Sequence, residues 1–169
     1  MQINSATGLI EDIVFMASPN FNERPPNIEI DLIVIHGISL PAGSFGGDEV
    51  RKLFLNHHET MTLRVSAHLF VRRDGSLIQF VPFNMRAWHA GVSNWQGREN
   101  CNDFSIGIEL EGTDTLPYED IQYQRLNSII VALKQHYPAI TKERIVGHAD
   151  IAPGRKTDPG PAFCWEKIL

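Results

Sequence analysis

The run Leu32–Ile35, inside IEIDLIVIH, constrains the fold of this chain more than any other segment. Its residues are all apolar, and Ile33, Val34 and Ile35 are β-branched, so the segment reads as a strand with no polar face. A strand of that kind needs cover on both sides, which places it inside a sheet flanked by other elements. The run ends at His36. A titratable ring therefore stands at the end of a rigid, buried element.

Other periodicities fill in the frame. Phe104–Leu110 alternates, with Phe104, Ile106, Ile108 and Leu110 toward the core and Ser105, Gly107, Glu109 and Glu111 sharing the opposite face. The spacing of Leu126, Ile129, Ile130, Leu133 and Tyr137 predicts a helix over 117–136, started by Pro117, Glu119 and Asp120 and stopped by Pro138. A shorter helix is expected around Asp48–Leu55, after a loop at 39–47. Val65–Val71 and Leu77–Val81 flank RRDGS, where Asp74-Gly75 is a hairpin turn signal. A short strand at Arg144–Val146 leads to His148, and the tail after Asp158 is loop at least as far as Ala162. Segment 82–102 has no period and reads as a long ordered loop, a feature often tied to function. Residues 1–27 read as an irregular lead-in. The order predicts an α/β (α+β) fold, a mixed β-sheet flanked by helices, in a single domain over 1–169.

Composition excludes several classes. A length of 169 residues with 43% hydrophobic and 21% charged residues suits a soluble domain with a substantial core. The net charge of −5 and the lack of a basic block argue against nucleic acid. No apolar run approaches the roughly 20 residues that span a bilayer, so no membrane partner is expected. Residues 1–19 lack the basic start and long apolar stretch of an export signal. Cys101 and Cys164 form neither a CxxC pair nor a disulfide framework, which fits a reducing, cytoplasmic setting. Nothing in the sequence fixes an oligomeric state.

The chemistry concentrates at His36 and in GHADIAPGRKTDPGPAF, which carries His148, Lys156 and Asp158. Two imidazoles and a carboxylate satisfy the ligand requirement of a catalytic zinc, with a fourth position left for water. In an extended segment Lys156 and Asp158 point the same way, and the proline after Asp158 favours that conformation. A cation is then expected beside the metal ligand, where an oxyanion could develop. A lone histidine after a strand is more often structural, but His148, Lys156 and Asp158 within eleven residues outweigh that reading. Periodicity alone does not separate Glu109 from Glu111. The small residues Ser105 and Gly107 are expected to leave open space beside Glu109, forming a cleft wall. His68 has two readings, packing within a strand or substrate contact. His57 and His58 read as solvated, His136 as a last-turn cation favoured by the helix dipole, and Asp74 as a turn residue. Trp88 either stacks on a sugar or fills core. Arg64 and Arg86 either hold substrate carboxylates or form surface ion pairs.

The segments VIHGISLPAGSFGG, LRVSAHLFVRRDGSLIQFVPF, RAWHAGVSNWQGRENCNDFSIGIELEGTD and GHADIAPGRKTDPGPAF resemble the zinc-dependent N-acetylmuramoyl-L-alanine amidases. The resemblance is to the cytoplasmic type that acts on 1,6-anhydro-muramyl peptides. It implies the mixed sheet shared with phage lysozyme-type amidases and peptidoglycan recognition proteins. It also implies Zn2+ as cofactor on His36, His148 and Asp158, with Glu109 as acid/base and Lys156 stabilising the transition state. A small muropeptide is the implied substrate, with Arg64, Trp88 and His89 along its groove and the lactyl–alanyl amide as the bond cleaved. In phage and recognition-protein relatives the third ligand is commonly cysteine, so Asp158 points to the cytoplasmic bacterial branch. Two departures stand out: Gly37 lies where such amidases often carry asparagine, and Leu55–Thr60 is shorter. Cleavage of polymeric wall and binding without cleavage are the competing readings. Asp158, Glu109 and Lys156 together argue against the second.

Overall fold

Leu32–Ile38 lies inside a mixed sheet whose strand order is Ile145–Gly147, Leu32–Ile38, Ser105–Glu111, Leu69–Val71, Leu77–Gln79 and Val14–Phe15. This computed structural model describes residues 1–56 and 63–168. His57, His58 and most of the shortened stretch after Leu55 lie outside the described residues. The first four strands in that order run parallel, and the Leu69–Val71 and Leu77–Gln79 strands form the antiparallel hairpin. In that hairpin the Asp74 carboxylate accepts the Ser76 N–H, and Gly75 takes a φ of +78° at the turn.

Both faces of Leu32–Ile35 are covered, as an unbroken apolar run requires. Ile33 and Ile35 pack with Ile106, Ile108 and Leu110 against Leu126, Ile129, Ile130 and Leu133 of helix α2, Asp120–His136. Each such fully buried side chain contributes about 1.5–3 kcal/mol. Leu32 and Val34 face the other way, onto Ala90, Cys101, Val146 and Ile151. Phe104 joins this second cluster rather than that of Ile106. It closes the short 3-10 turn Cys101–Asp103, ahead of the strand, so the strand's alternation does not reach it.

Helix α2 begins three residues later than Pro117 because Gln122 organises its first turn. The Gln122 amide accepts the Glu119 N–H at 3.0 Å and donates to the carbonyls of Glu111 (3.1 Å) and Val71 (3.3 Å). Helix α1, Glu49–Phe54, buries Val50, Leu53 and Phe54 against Ala67, Phe70 and Phe80. The last sheet strand is Ile145–Gly147; Arg144 closes a 3-10 turn instead and bonds Asp31 at 2.5 Å.

The lead-in is more regular than its composition suggests. Ile3–Asn4 pairs with Leu9–Ile10, Val14–Phe15 extends the main sheet beside Leu77–Gln79, and Phe21–Glu23 pairs with Met85–Ala87. Strands this short carry no period, and distant side chains hold them. Gln79 accepts the Ile10 N–H (2.9 Å) and donates to the Gly8 carbonyl (3.0 Å). The Arg24 guanidinium donates to the carbonyls of Phe83, Asn102, Asp103 and Ser105 at 2.8–3.2 Å. Burial lowers its pKa to about 10. Segment 82–102 is not loop throughout: it holds the Met85–Ala87 strand, a small ribbon of Asn94–Trp95 and Arg98–Glu99, and the start of the Cys101–Asp103 turn, pieces too short to show a period.

Candidate active site

Three neighbouring parallel strands deliver the candidate residues in a row. Glu109 lies beside His36 in register, and Gly147 lies beside Ile35, so His148 emerges next to His36 as the first residue of helix α3, His148–Ile151. Asp158 comes from the following loop. Its carbonyl accepts the Ala149 N–H at 3.0 Å, which anchors the loop to the start of α3.

The Nδ1 atoms of His36 and His148 are 3.0 Å apart, and Asp158 Oδ2 lies 3.2 Å from the first and 3.1 Å from the second. A tetrahedral zinc with bonds of 2.0–2.1 Å spaces its ligands about 3.3 Å apart. The triangle therefore fits one cation. Donor chemistry agrees with the spacing. The Ala90 carbonyl, which only accepts, lies 3.1 Å from His148 Nε2, so that nitrogen carries a proton, and the neutral form of the ring has its lone pair on Nδ1. Burial draws His36 down to about 4, against the opposing pull of Asp158, and the ring is neutral at pH 7. Two imidazole nitrogens and one carboxylate oxygen make a set that could hold a metal ion.

Glu109 and Glu111, inseparable by periodicity, occupy different surroundings. Glu111 is bound on both oxygens: Oε1 accepts the Gly46 N–H (2.6 Å) and Oε2 the Arg73 N–H (3.0 Å), which ties down the end of the 39–47 loop. Glu109 is also buried, but its Oε2 has no hydrogen-bond partner among the described residues. Burial first, and the Asp158 charge second, push its pKa well above the ordinary value, while Lys156 pulls the other way. Lys156 is exposed, and its charge acts on both Glu109 and His36.

The remaining residues divide clearly. The space expected beside Gly107 is filled by His89: a Cβ on Gly107 would lie 2.3 Å from His89 Cγ. His89 is buried, with Nδ1 3.0 Å from His36 Nε2. His68 packs inside, its Nδ1 accepting the Gly107 N–H at 3.0 Å, and burial takes its pKa well below the usual value. Trp88 is half-buried and donates its indole N–H to Asn22 at 2.7 Å. Arg86 bonds Asp103 at 2.5 Å, so it forms an ion pair. Arg64 is exposed. Gly37 is explained by close approach: a Cβ there would lie 2.1 Å from the Tyr118 hydroxyl, which donates to the Pro159 carbonyl at 3.0 Å. Arg155 carries no sequence signal, yet its guanidinium donates to the carbonyls of Ala90 (2.5 Å) and Val92 (2.6 Å), supporting the carbonyl that holds His148.

Comparison with known proteins identifies the family. The sequence model of the family described as N-acetylmuramoyl-L-alanine amidase matches residues 26–161. The 1,6-anhydro-N-acetylmuramyl-L-alanine amidase AmpD of Escherichia coli (strain K12) is 55% identical over 160 residues, covering 89% of this chain and 87% of that protein. A crystal structure of a selenomethionine AmpD derivative superposes with a TM-score of 0.92 at 50% identity, over 99% of this chain and 97% of that one. The amidase AmiD of E. coli, solved with anhydro-N-acetylmuramic acid-L-Ala-D-gamma-Glu-L-Lys, is more distant. It gives a TM-score of 0.67 at 31% identity, over 88% of this chain and 64% of that one.

Proposed function

The chain belongs to the N-acetylmuramoyl-L-alanine amidase family, and we propose that it is an AmpD-type enzyme of muropeptide recycling. It hydrolyses the amide between the lactyl group of 1,6-anhydro-N-acetylmuramic acid and the L-alanine of the stem peptide. The observation that carries the reading is the register of Glu109 beside His36, which sets a buried carboxylate, its Oε2 without a hydrogen-bond partner among the described residues, next to a triangle that could hold a metal. We assign His36, His148 and Asp158 as the ligands and zinc as the metal. Bound there, zinc supplies Lewis acidity to the amide carbonyl and acidity to a water.

The chain's own residues account for the rest. Glu109, held in a site where its charged form is disfavoured, takes a proton from the attacking water at Oε2. It then returns that proton to the alanine nitrogen as the C–N bond breaks. The Lys156 ammonium faces the negative charge that develops on the carbonyl oxygen, a contribution typically worth about 10²–10³ in rate. Asp158 stays ionised throughout. Arg64 and Trp88 are the proposed contacts to the muropeptide. We place the reaction in the cytoplasm; Cys101 and Cys164 are free thiols, in keeping with a reducing compartment. Among the described residues no helix is long and apolar enough to cross a membrane.

The test is to incubate zinc-loaded protein with anhydro-muramyl tripeptide and with intact sacculi, and to follow products by mass spectrometry. Cleavage of the small substrate alone is expected. Cleavage confined to sacculi assigns wall lysis instead, and no cleavage of either removes the enzymatic reading.

A further inference from the structure

The His36 ring faces the ligand triangle with Nδ1 and reaches away from it with Nε2, and the contacts behind Nε2 run in one direction only. His36 Nε2 lies 3.0 Å from His89 Nδ1, His89 Nε2 lies 3.2 Å from Ser105 Oγ, and Ser105 Oγ lies 2.6 Å from the Cys101 carbonyl. A carbonyl only accepts, so the single hydroxyl proton of Ser105 points to Cys101. Ser105 Oγ must then accept from His89 Nε2–H. A neutral His89 consequently has a bare Nδ1, which accepts from His36 Nε2–H. That leaves the His36 lone pair on Nδ1, facing His148 and Asp158. One backbone carbonyl thus sets the tautomer of a ring three hydrogen bonds away.

We propose that His89 is a positioning residue for the metal centre, the acceptor that locks His36 in its ligating tautomer and orientation. The surroundings are built for it. The floor beneath the ring is Gly107, the residue type that leaves room for it. Its backbone is clamped by Asn102 Oδ1, which accepts the N–H groups of His89 (3.1 Å) and Ala90 (2.8 Å). The Ala90 carbonyl then faces His148 Nε2 at 3.1 Å. Adjacent residues of one loop therefore hold the outer nitrogens of both histidine ligands, one by side chain and one by main chain. The inference rests on the metal reading given above. Outer partners of ligating histidines are typically worth 10–100-fold in metal affinity.

The test measures zinc affinity by competition with a chromogenic chelator for wild type, His89→Phe, His89→Asn and Ser105→Ala. Two-dimensional amide spectra of each variant check the fold. Phenylalanine keeps the ring but removes the acceptor, whereas an asparagine oxygen can stand in for Nδ1. Affinity is expected to fall 10–100-fold in His89→Phe and to return to within a few-fold of wild type in His89→Asn. A smaller loss is expected in Ser105→Ala, where the acceptor remains but its tautomer is freed. A folded His89→Phe that binds zinc as wild type does, or a His89→Asn as weak as His89→Phe, overturns the proposal. Histidine 15N shifts of the metal-free wild type provide a readout that needs no variant and no metal. His89 protonated on Nε2 supports the proposal, and protonation on Nδ1 overturns it. Wild-type protein that binds no zinc would sink the metal reading, while the tautomer measurement would still decide the role of His89.

Discussion

Glu109→Gln should move stability and activity in opposite directions. The Glu109 carboxylate is buried, Oε2 has no hydrogen-bond partner among the described residues, and burial with the Asp158 charge raises its pKa. Below the ordinary carboxylate range both folded and unfolded chains hold the proton, and the site carries no penalty. As pH rises through the raised folded value, the unfolded chain has already ionised while the folded site resists, so stability is lost. Glutamine keeps the shape and does not titrate. A buried unpaired group costs more charged than neutral, and removing the charge is taken as worth about 1–3 kcal/mol. For a domain of this size each kcal/mol moves Tm by about 2–4 °C. Metal-stripped Glu109→Gln should therefore melt roughly 2–12 °C above wild type at pH 8, and the gap should close toward pH 4. Turnover should fall about 10²–10⁴-fold, the usual worth of a general acid–base group. The assays are thermal unfolding in chelator at both pH values and hydrolysis of anhydro-muramyl tripeptide with zinc restored. A variant less stable than wild type at pH 8, a gap independent of pH, or retained turnover would refute the reasoning.

Other outcomes follow from named contacts. Gly37→Asn should cost about 1–3 kcal/mol by forcing the Tyr118 hydroxyl off the Pro159 carbonyl. Adding Tyr118→Phe should recover part of that loss, so a denaturation double-mutant cycle should be non-additive. Arg24→Met strips donors from four main-chain carbonyls and should lower stability by about 3 kcal/mol or more. It should shift the urea midpoint without changing the slope. Zinc at 100 times its Kd should add about 2.7 kcal/mol of stability. That gain should vanish in His148→Ala, as calorimetry with and without metal would show.

Legibility in the sequence tracked the range of the interactions involved. Leu32–Ile35 announced its own burial, the α2 stripe its own helix, and the strand ends the placement of His36 and His148, because each signal is local. Periodicity put Glu109 and Glu111 on one face but could not tell them apart. Their difference is made by Gly46 and Arg73, which reach only Glu111, and by Asp158, which bears on Glu109. The lead-in strands were invisible because Arg24 and Gln79 hold them through carbonyls and amides far along the chain. Gly107 read as open space for the same reason. A sequence shows that a residue is small, not that the ring of His89 occupies what it leaves.

The central claim is that this site adds water across the lactyl–alanyl amide, and isotope labelling tests it most directly. Anhydro-muramyl tripeptide is digested by the zinc-loaded protein in 18O water and the products are weighed. The account predicts one heavy oxygen in the carboxyl of the released anhydro-muramic acid and an unlabelled peptide with a free alanine amine. Label in the peptide, cleavage between its amino acids, or an intact substrate would contradict it.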